Sequence, residues 1–305
     1  MSAVDATEVS RSVGFVGLGA MGIPMSGHLL EAGWSVVGHD TSASAVAQLV
    51  ENGGRAAGGT RDVGEAVDHV VTSLPHASAL LAVLRELGQA PRQGRPALVV
   101  VETSTLALEE KLAAREQAEA DGLVLLDCTL SGTSQQARDR DVVAYLSGAE
   151  GDVVGHVHAI LDDMVRATYD VGEFGAGTRL KLVANLLVAV HNLAAAEALH
   201  LAHRSGLDLA LALPALADGA GGSKMLQVRG PVMVQGSFEQ AAARVDIFIK
   251  DIAAIRALAT DSRSPTPLLE LSSVFYAAAV AQGRSTHDAA CLYAVLEQLA
   301  APGVV

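Results

Sequence analysis

The chain has 305 residues, half of them hydrophobic, and 34 acidic against 21 basic side chains give a formal net charge of -13. That length suits two domains around a large core, and the acidic balance argues against a nucleic-acid partner, because binding phosphates needs a basic surface. Cys128 and Cys291 are the only cysteines, which excludes a disulfide framework and a CxxC metal pair and fits a reducing cytoplasm.

Residues 1–10 read as a polar, acidic tail without the basic segment and apolar core of a signal peptide. The apolar run Val13 to Val16 then suits a buried parallel strand, and residues 21–32 suit a helix. Between them stand Gly17, Leu18, Gly19, Ala20, Met21 and Gly22, a G-x-G-x-x-G spacing. In that setting Gly17 makes the tight turn, Gly19 lets a pyrophosphate approach the backbone, and Gly22 lets helix and strand pack closely. Open N–H groups at the helix start face the phosphates.

A second strand, residues 35–39, ends on Asp40. An acid about 20 residues beyond the glycines accepts hydrogen bonds from the adenosine ribose hydroxyls and repels a 2′-phosphate. The nearest following basic residue is Arg55. This favours NAD over NADP. The competing reading is that Asp40 only caps the next helix.

Further along, residues 69–74, 97–101, 123–126, 142–146 and 167–171 read as strands, and 77–87 and 107–120 as helices. That alternation predicts an α/β Rossmann-type, doubly wound parallel sheet with helices on both faces. After Gly177 the strand signals stop. Residues 180–204, 209–217, 238–260, 267–282 and 286–300 read as helices, with residues 219–222 as the clearest break. The expected division is a dinucleotide-binding domain over 11–176 and an all-α C-terminal domain over 177–303. The longest apolar stretch, 180–202, carries Lys181, Asn185, His191, Asn192, Glu197 and His200, so it reads as a helix buried between protein surfaces and not as a membrane span.

Residues 172–177 form a glycine-rich joint, and Lys181 and Asn185 follow it, one helical turn apart on one face. A lysine on a largely apolar face is costly to bury unless it is used, and burial brings a lysine toward proton exchange near neutrality. Spacing alone leaves a second reading open, in which the lysine stem extends to water at a helix start. The histidine pairs His200/His203 and His156/His158 lack neighbouring ligands at metal spacing, so no metal site is expected. His76, beside Pro75, is a candidate for touching the cofactor.

The segment Gly14 to Met25 closely resembles the β-hydroxyacid dehydrogenase family, which includes 3-hydroxyisobutyrate dehydrogenases and tartronate semialdehyde reductases. Four further motifs follow in the family order and extend the resemblance from residue 12 to about 300. Leu74 and Pro75 match its cofactor-side turn. Thr103, Ser104 and Thr105 match the segment near the nicotinamide ribose. Ser131 and Gly132 fall in its substrate-carboxylate loop, and Lys181 with Asn185 is similar to its catalytic signature. Lys250 and Asp251 match its helix motif over the active site.

The resemblance implies an oxidoreductase that moves a hydride between NAD and the β-hydroxyl carbon of a small β-hydroxy acid or semialdehyde. Lys181 would be the general acid/base and Asn185 would orient the substrate. Ser131, Gly132 and Thr133 would hold the carboxylate, Thr105 would lie at the cofactor, and Lys250 would assist at the cofactor or substrate, pairing locally in the competing reading. A homodimer or homotetramer is implied by the same analogy.

The chain departs from the pattern at His28, where asparagine is usual, at Thr129 to Thr133, and at residues 135–141. There Arg138 and Arg140 either bind a second anionic group or belong to a solvated charged loop. Two other readings share the architecture. An imine reductase has Asp or Tyr in place of Lys181, and a catalytically silent module loses the lysines. A 6-phosphogluconate dehydrogenase has a longer helical domain and a histidine in place of Ala184.

Overall fold

The computed structural model describes residues 11–151 and 153–300, and the readings made of residues 1–10 and 301–303 lie outside them. The chain divides into two compact units, Met1–Lys181 and Leu182–Val305.

In the first unit, strands and helices alternate as β1 (Ser12–Val16), α1 (Gly22–Glu31), β2 (Ser35–His39), α2 (Ala43–Glu51), β3 (Arg55–Ala56), α3 (Thr60–Ala66), β4 (His69–Thr72), α4 (Ala77–Gly88), β5 (Val99–Glu102), α5 (Leu108–Ala120) and β6 (Val124–Ser131). The unit continues through α6 (Ser134–Arg138), β7 (Val143–Ser147), α7 (Val153–Met164) and β8 (Ala167–Asp170) to the start of α8 (Ala176–Arg204). The described strands form one sheet in the order β3-β2-β1-β4-β5-β6-β7-β8. Chain order reverses between β1 and β4, which opens the crevice where such sheets bind ligands. Apolar strand residues alternate between two cores. Val13, Phe15, Val36, Val71 and Val101 pack on one face, and Val16, Val37, Val70 and Val100 on the other. Both faces are covered, as a doubly wound sheet requires.

The sheet is not wholly parallel, which corrects the sequence expectation. The strands from β3 to β6 are parallel, but β7 runs antiparallel to β6, with Cys128 opposite Leu146 and Ser131 opposite Val143. A parallel return needs a crossover of about a dozen or more residues, and the connection carries only the five-residue α6. β6 also continues past its apolar run to Ser131. The glycine-rich joint is packed: Phe174 is buried, and Gly148 N–H donates to Gly172 O at 2.8 Å.

The second unit continues α8 and adds α9 (Leu209–Asp218), α10 (Lys224–Gln235), α11 (Val245–Asp261), α12 (Pro267–Ala281), a 3-10 turn (Ala289–Cys291) and α13 (Leu292–Leu299). Its core collects Leu182, Leu199, Met233, Phe248, Ile252, Tyr276 and Val295. α10 went unpredicted because Gly230 and Pro231 interrupt its pattern, although Ser223 caps it by accepting Leu226 N–H at 3.1 Å. Conversely, residues 238–244, expected as helix, form a loop held by Asp288. Its carboxylate accepts the N–H groups of Ala242 and Ala243 and pairs with buried Arg229 at 2.8 Å. α8 is long and apolar enough to cross a membrane by length and composition alone. Its Asn192 is buried, and its amide donates to Tyr276 Oη and Ala289 O.

At the start of β4, His69 stacks on His156 with ring centroids 4.2 Å apart, and Trp34 meets His156 edge-on. Burial, then the charge of His156, pulls the His69 pKa from 6.5 to about 4; Asp68 opposes the shift and Arg92 adds to it. Between those values the unfolded chain binds the proton and the folded chain does not, so stability falls as pH drops. We expect the urea midpoint to fall between pH 7 and pH 5 by more in the wild type than in His69→Gln; equal falls would remove His69 as the cause.

Candidate functional site

The ends of β1, β2 and β4 converge by backbone hydrogen bonds. Gly17 N–H donates to His39 O at 3.1 Å, and Ser73 N–H donates to Val16 O at 3.0 Å. Gly17 holds φ at +92°, and a Cβ there would stand 2.1 Å from Ser73 O, so only glycine makes this turn. A Cβ on Gly22 would meet Gly17 O at 2.0 Å, so helix and loop pack as the spacing implied. Gly19 has the opposite surroundings: its Cβ would meet nothing within 4 Å. No side chain caps α1, and its first turn carries no acid. An open loop before an uncapped helix N-terminus fits a pyrophosphate.

Asp40 closes this loop. Its Oδ2 accepts Leu18 N–H at 2.6 Å, and its Oδ1 accepts Ser42 N–H at 2.7 Å. It does not cap α2; Ser42 does. A carboxylate has about four acceptor directions, so two remain for ribose hydroxyls beside the two used by the backbone.

At the neighbouring strand ends, Leu74 N–H donates to Ser104 Oγ at 2.8 Å, and Thr103 Oγ1–H donates to Thr72 O at 2.7 Å. Thr105 follows in the same turn, and Pro75 lies exposed after Leu74. His76 caps α4, its Nδ1 accepting Ala79 N–H at 3.1 Å, so helix capping is its place in this structure.

Beneath these turns lies a cluster that the sequence reading missed. Lys111, Glu102 and Asp127 are each 0% exposed. Lys111 Nζ pairs with Glu102 Oε2 and reaches Asp127 Oδ1 at 3.1 Å. Burial alone would lower the Lys111 pKa, but the two carboxylates outweigh it and raise it. The available signal was Lys111 sharing the buried face of α5 with Ala114 and Ala118. Glu102 and Asp127 sit where apolar strand runs end.

In the loop after β6, Gly132 has φ +157°, and Ser131 is the last residue paired with β7. Thr133 caps α6: its Oγ1 accepts Gln136 N–H at 3.3 Å while its own N–H donates to Gln136 Oε1 at 3.0 Å. His28 Nε2 lies 2.8 Å from Ala137 O, which ties α1 to α6. Arg140 donates to Asp162 O and Arg138 to Gln135 Oε1. His158 pairs with Asp170 at 3.0 Å. Among the described residues, no group of three or more His, Cys, Asp or Glu could hold a metal ion.

α8 starts against β6 and β7. Thr178 donates to Asp127 through its N–H at 2.7 Å and its hydroxyl at 2.9 Å. A Cβ on Gly177 would lie 2.5 Å from Tyr145 O, so glycine permits this approach. Lys181, three residues on, is 9% exposed. In the second unit Asn185 is 8% exposed and its amide donates to Asp251 Oδ2 at 2.8 Å. Lys250 stands exposed on α11. The structure thus brings Gly17 to Gly22, Asp40 and Leu74 together at adjacent strand ends, and it places Asn185 with Asp251.

The loop geometry separates two glycine roles. Gly17→Ala should cost at least about 1–2 kcal/mol through its backbone conformation alone. Gly19→Ala should shift the melting midpoint by less than about 2 °C yet weaken NADH binding by at least about tenfold. Calorimetry with fluorescence titration checks this; Gly19→Ala that binds NADH normally contradicts the phosphate role.

Comparison with known proteins matches both units. Residues 12–172 match the family described as the NAD binding domain of 6-phosphogluconate dehydrogenase, and residues 175–296 match that described as the NAD-binding of NADP-dependent 3-hydroxyisobutyrate dehydrogenase. The chain is 28% identical to L-threonate dehydrogenase of Cupriavidus necator, over 97% of this chain and 99% of that one. It is 32% identical to 3-hydroxyisobutyrate dehydrogenase of Pseudomonas aeruginosa, over 84% of this chain and 88% of that one. The crystal structure of 3-hydroxyisobutyrate dehydrogenase from Salmonella typhimurium is 29% identical, with a TM-score of 0.82, and the match covers 93% of this chain and 99% of that chain.

Proposed function

This chain belongs to the β-hydroxyacid dehydrogenase family and is a nicotinamide-dependent dehydrogenase of CH–OH groups, and on that premise we propose that it oxidises a small β-hydroxy acid at its hydroxyl carbon, or reduces the matching semialdehyde, with NAD. The observation that carries the reading is a nearly buried Lys181 one helical turn before Asn185, an amide fixed by Asp251. When bound, NAD supplies the hydride acceptor. The chain supplies the rest.

Gly17 to Gly22 hold the pyrophosphate, and Asp40 takes the ribose hydroxyls. That assignment favours NAD, because a 2′-phosphate would meet a carboxylate already anchored to Leu18 and Ser42. Leu74, Pro75, Thr105 and Lys250 complete the cofactor contacts. Ser131, Gly132 and Thr133 hold the substrate carboxylate by backbone N–H groups and hydroxyls. For Thr133, that requires its N–H to leave Gln136 Oε1. Lys181 Nζ takes the hydroxyl proton during oxidation and returns it during reduction, where the ammonium also stabilises the developing alkoxide. Asn185 orients the reacting hydroxyl or the carboxylate.

We also infer a homo-oligomer. Val183, Leu187, Ala194, Ala198 and Leu201 are exposed along one side of α8, and exposed apolar surface of this kind marks association surfaces. The two free, buried cysteines support a reducing compartment, the cytoplasm.

Lys181→Ala should lower kcat by about 100-fold or more while the Kd for NADH stays within about twofold. Steady-state kinetics and fluorescence titration measure both. Surviving turnover, or lost NADH binding, would overturn the assigned role.

A further inference from the structure

The charged cluster under the cofactor turns does more than bury an ion pair. Its three members come from different elements: Lys111 from α5, Glu102 from the end of β5 and Asp127 from the middle of β6. Glu102 and Asp127 share one ammonium. Replacing buried charge networks with apolar side chains is often neutral or stabilising, so stability alone does not account for the arrangement. What it does in this structure is hold acceptors in fixed directions.

Asp127 has no acceptor to spare. Its Oδ1 faces Lys111 Nζ at 3.1 Å and Thr178 Oγ1 at 2.9 Å. Its Oδ2 accepts Thr178 N–H at 2.7 Å and Ser147 Oγ–H at 3.2 Å. All four directions of the carboxylate are used. Ser147 Oγ in turn accepts Gly177 N–H at 3.0 Å, and Thr129 Oγ1–H donates to Gly177 O at 2.8 Å. The opening turn of α8 is therefore pinned at both its N–H and C=O groups. A carboxylate at a helix N-terminus also meets the positive end of the helix dipole. Glu102 continues the network on its other side: Oε1 accepts Ser104 N–H at 2.9 Å, and Ser104 Oγ accepts Leu74 N–H at 2.8 Å.

Helical side chains lean toward the N-terminus and lie over the turn before their own Cα. For Lys181 that turn is Gly177 and Thr178. We propose that the Lys111–Glu102–Asp127 cluster is a positioning device that fixes the first turn of α8 and thereby sets the Lys181 ammonium for proton transfer. Lys111 is the residue that bridges the two carboxylates, and Thr178 is the link through which Asp127 acts. The proposal rests on the assignment of Lys181 as the acid/base.

The test compares Thr178→Val with Thr178→Ser in the full chain. Valine keeps the shape and removes the hydroxyl donor; serine keeps the donor. Thr178→Val should lower kcat by about tenfold, the size of one hydrogen bond to a charged group, with the Kd for NADH unchanged, and Thr178→Ser should recover most of it. Amide exchange across residues 176–182 should quicken in Thr178→Val and stay unchanged across α1. Equal kcat and exchange in the two variants, or a joint loss of kcat, NADH affinity and melting midpoint, would overturn the proposal. If Lys181→Ala retains turnover, the acid/base reading fails, while the exchange result still reports whether the cluster holds the turn.

Discussion

A single ammonium buried between two carboxylates is the constraint around which the nucleotide-binding unit is organised. Removing one partner of such a group leaves an uncompensated charge in the interior and costs about 3–5 kcal/mol, a large part of the roughly 5–15 kcal/mol by which domains are stable. Lys111, Glu102 and Asp127 offset that cost through one another and through further donors to the two carboxylates. The donors are Ser104, Ser147, Thr178 and Lys111 itself. β5, β6, β7, α5 and the start of α8 are thereby fixed to one another through groups that tolerate little change in direction.

The same unit places its strand-end loops through backbone hydrogen bonds and a few side-chain acceptors. The reversal of strand order between β1 and β4 leaves a crevice, and the turns after both strands meet there through Gly17 and Ser73. Asp40 then links the glycine loop to the start of α2. The glycine loop is crowded at Gly17 and open at Gly19, where a Cβ would meet nothing within 4 Å. In the second unit, Asp288 does comparable work on a loop, and Asp251 does so on the Asn185 amide.

What was legible in the sequence follows from periodicity and glycine spacing. The doubly wound sheet, the fingerprint turn and the helical second half all announce themselves in patterns of two and 3.6 residues. Features that depend on partners distant in sequence did not. The reversal of β7 follows from the shortness of its connection, which apolar runs do not register. α10 was hidden by Gly230 and Pro231, and the loop at 238–244 resembled a helix because its polar anchor, Asp288, lies more than 40 residues away. The charged cluster was hidden because its members lie on three separate elements that only the fold brings together. Lys111 looks like an ordinary helix lysine until Glu102 and Asp127 are seen to face it. Lys181 and Asn185 could be singled out as candidates because both lie on one helix, within reach of a spacing argument.

We propose that the carboxylate of Asp40 and the ammonium of Lys181 make this chain an NAD-dependent dehydrogenase of small β-hydroxy acids. The most direct measurement is kcat/KM of the purified wild type with NAD and with NADP, across 3-hydroxyisobutyrate, L-threonate, L-serine and their relatives. Turnover of at least one of these acids is expected, with a preference for NAD of about tenfold or more, the size of one lost charged contact. A clear preference for NADP, or no reduction of either cofactor by any β-hydroxy acid, would contradict it.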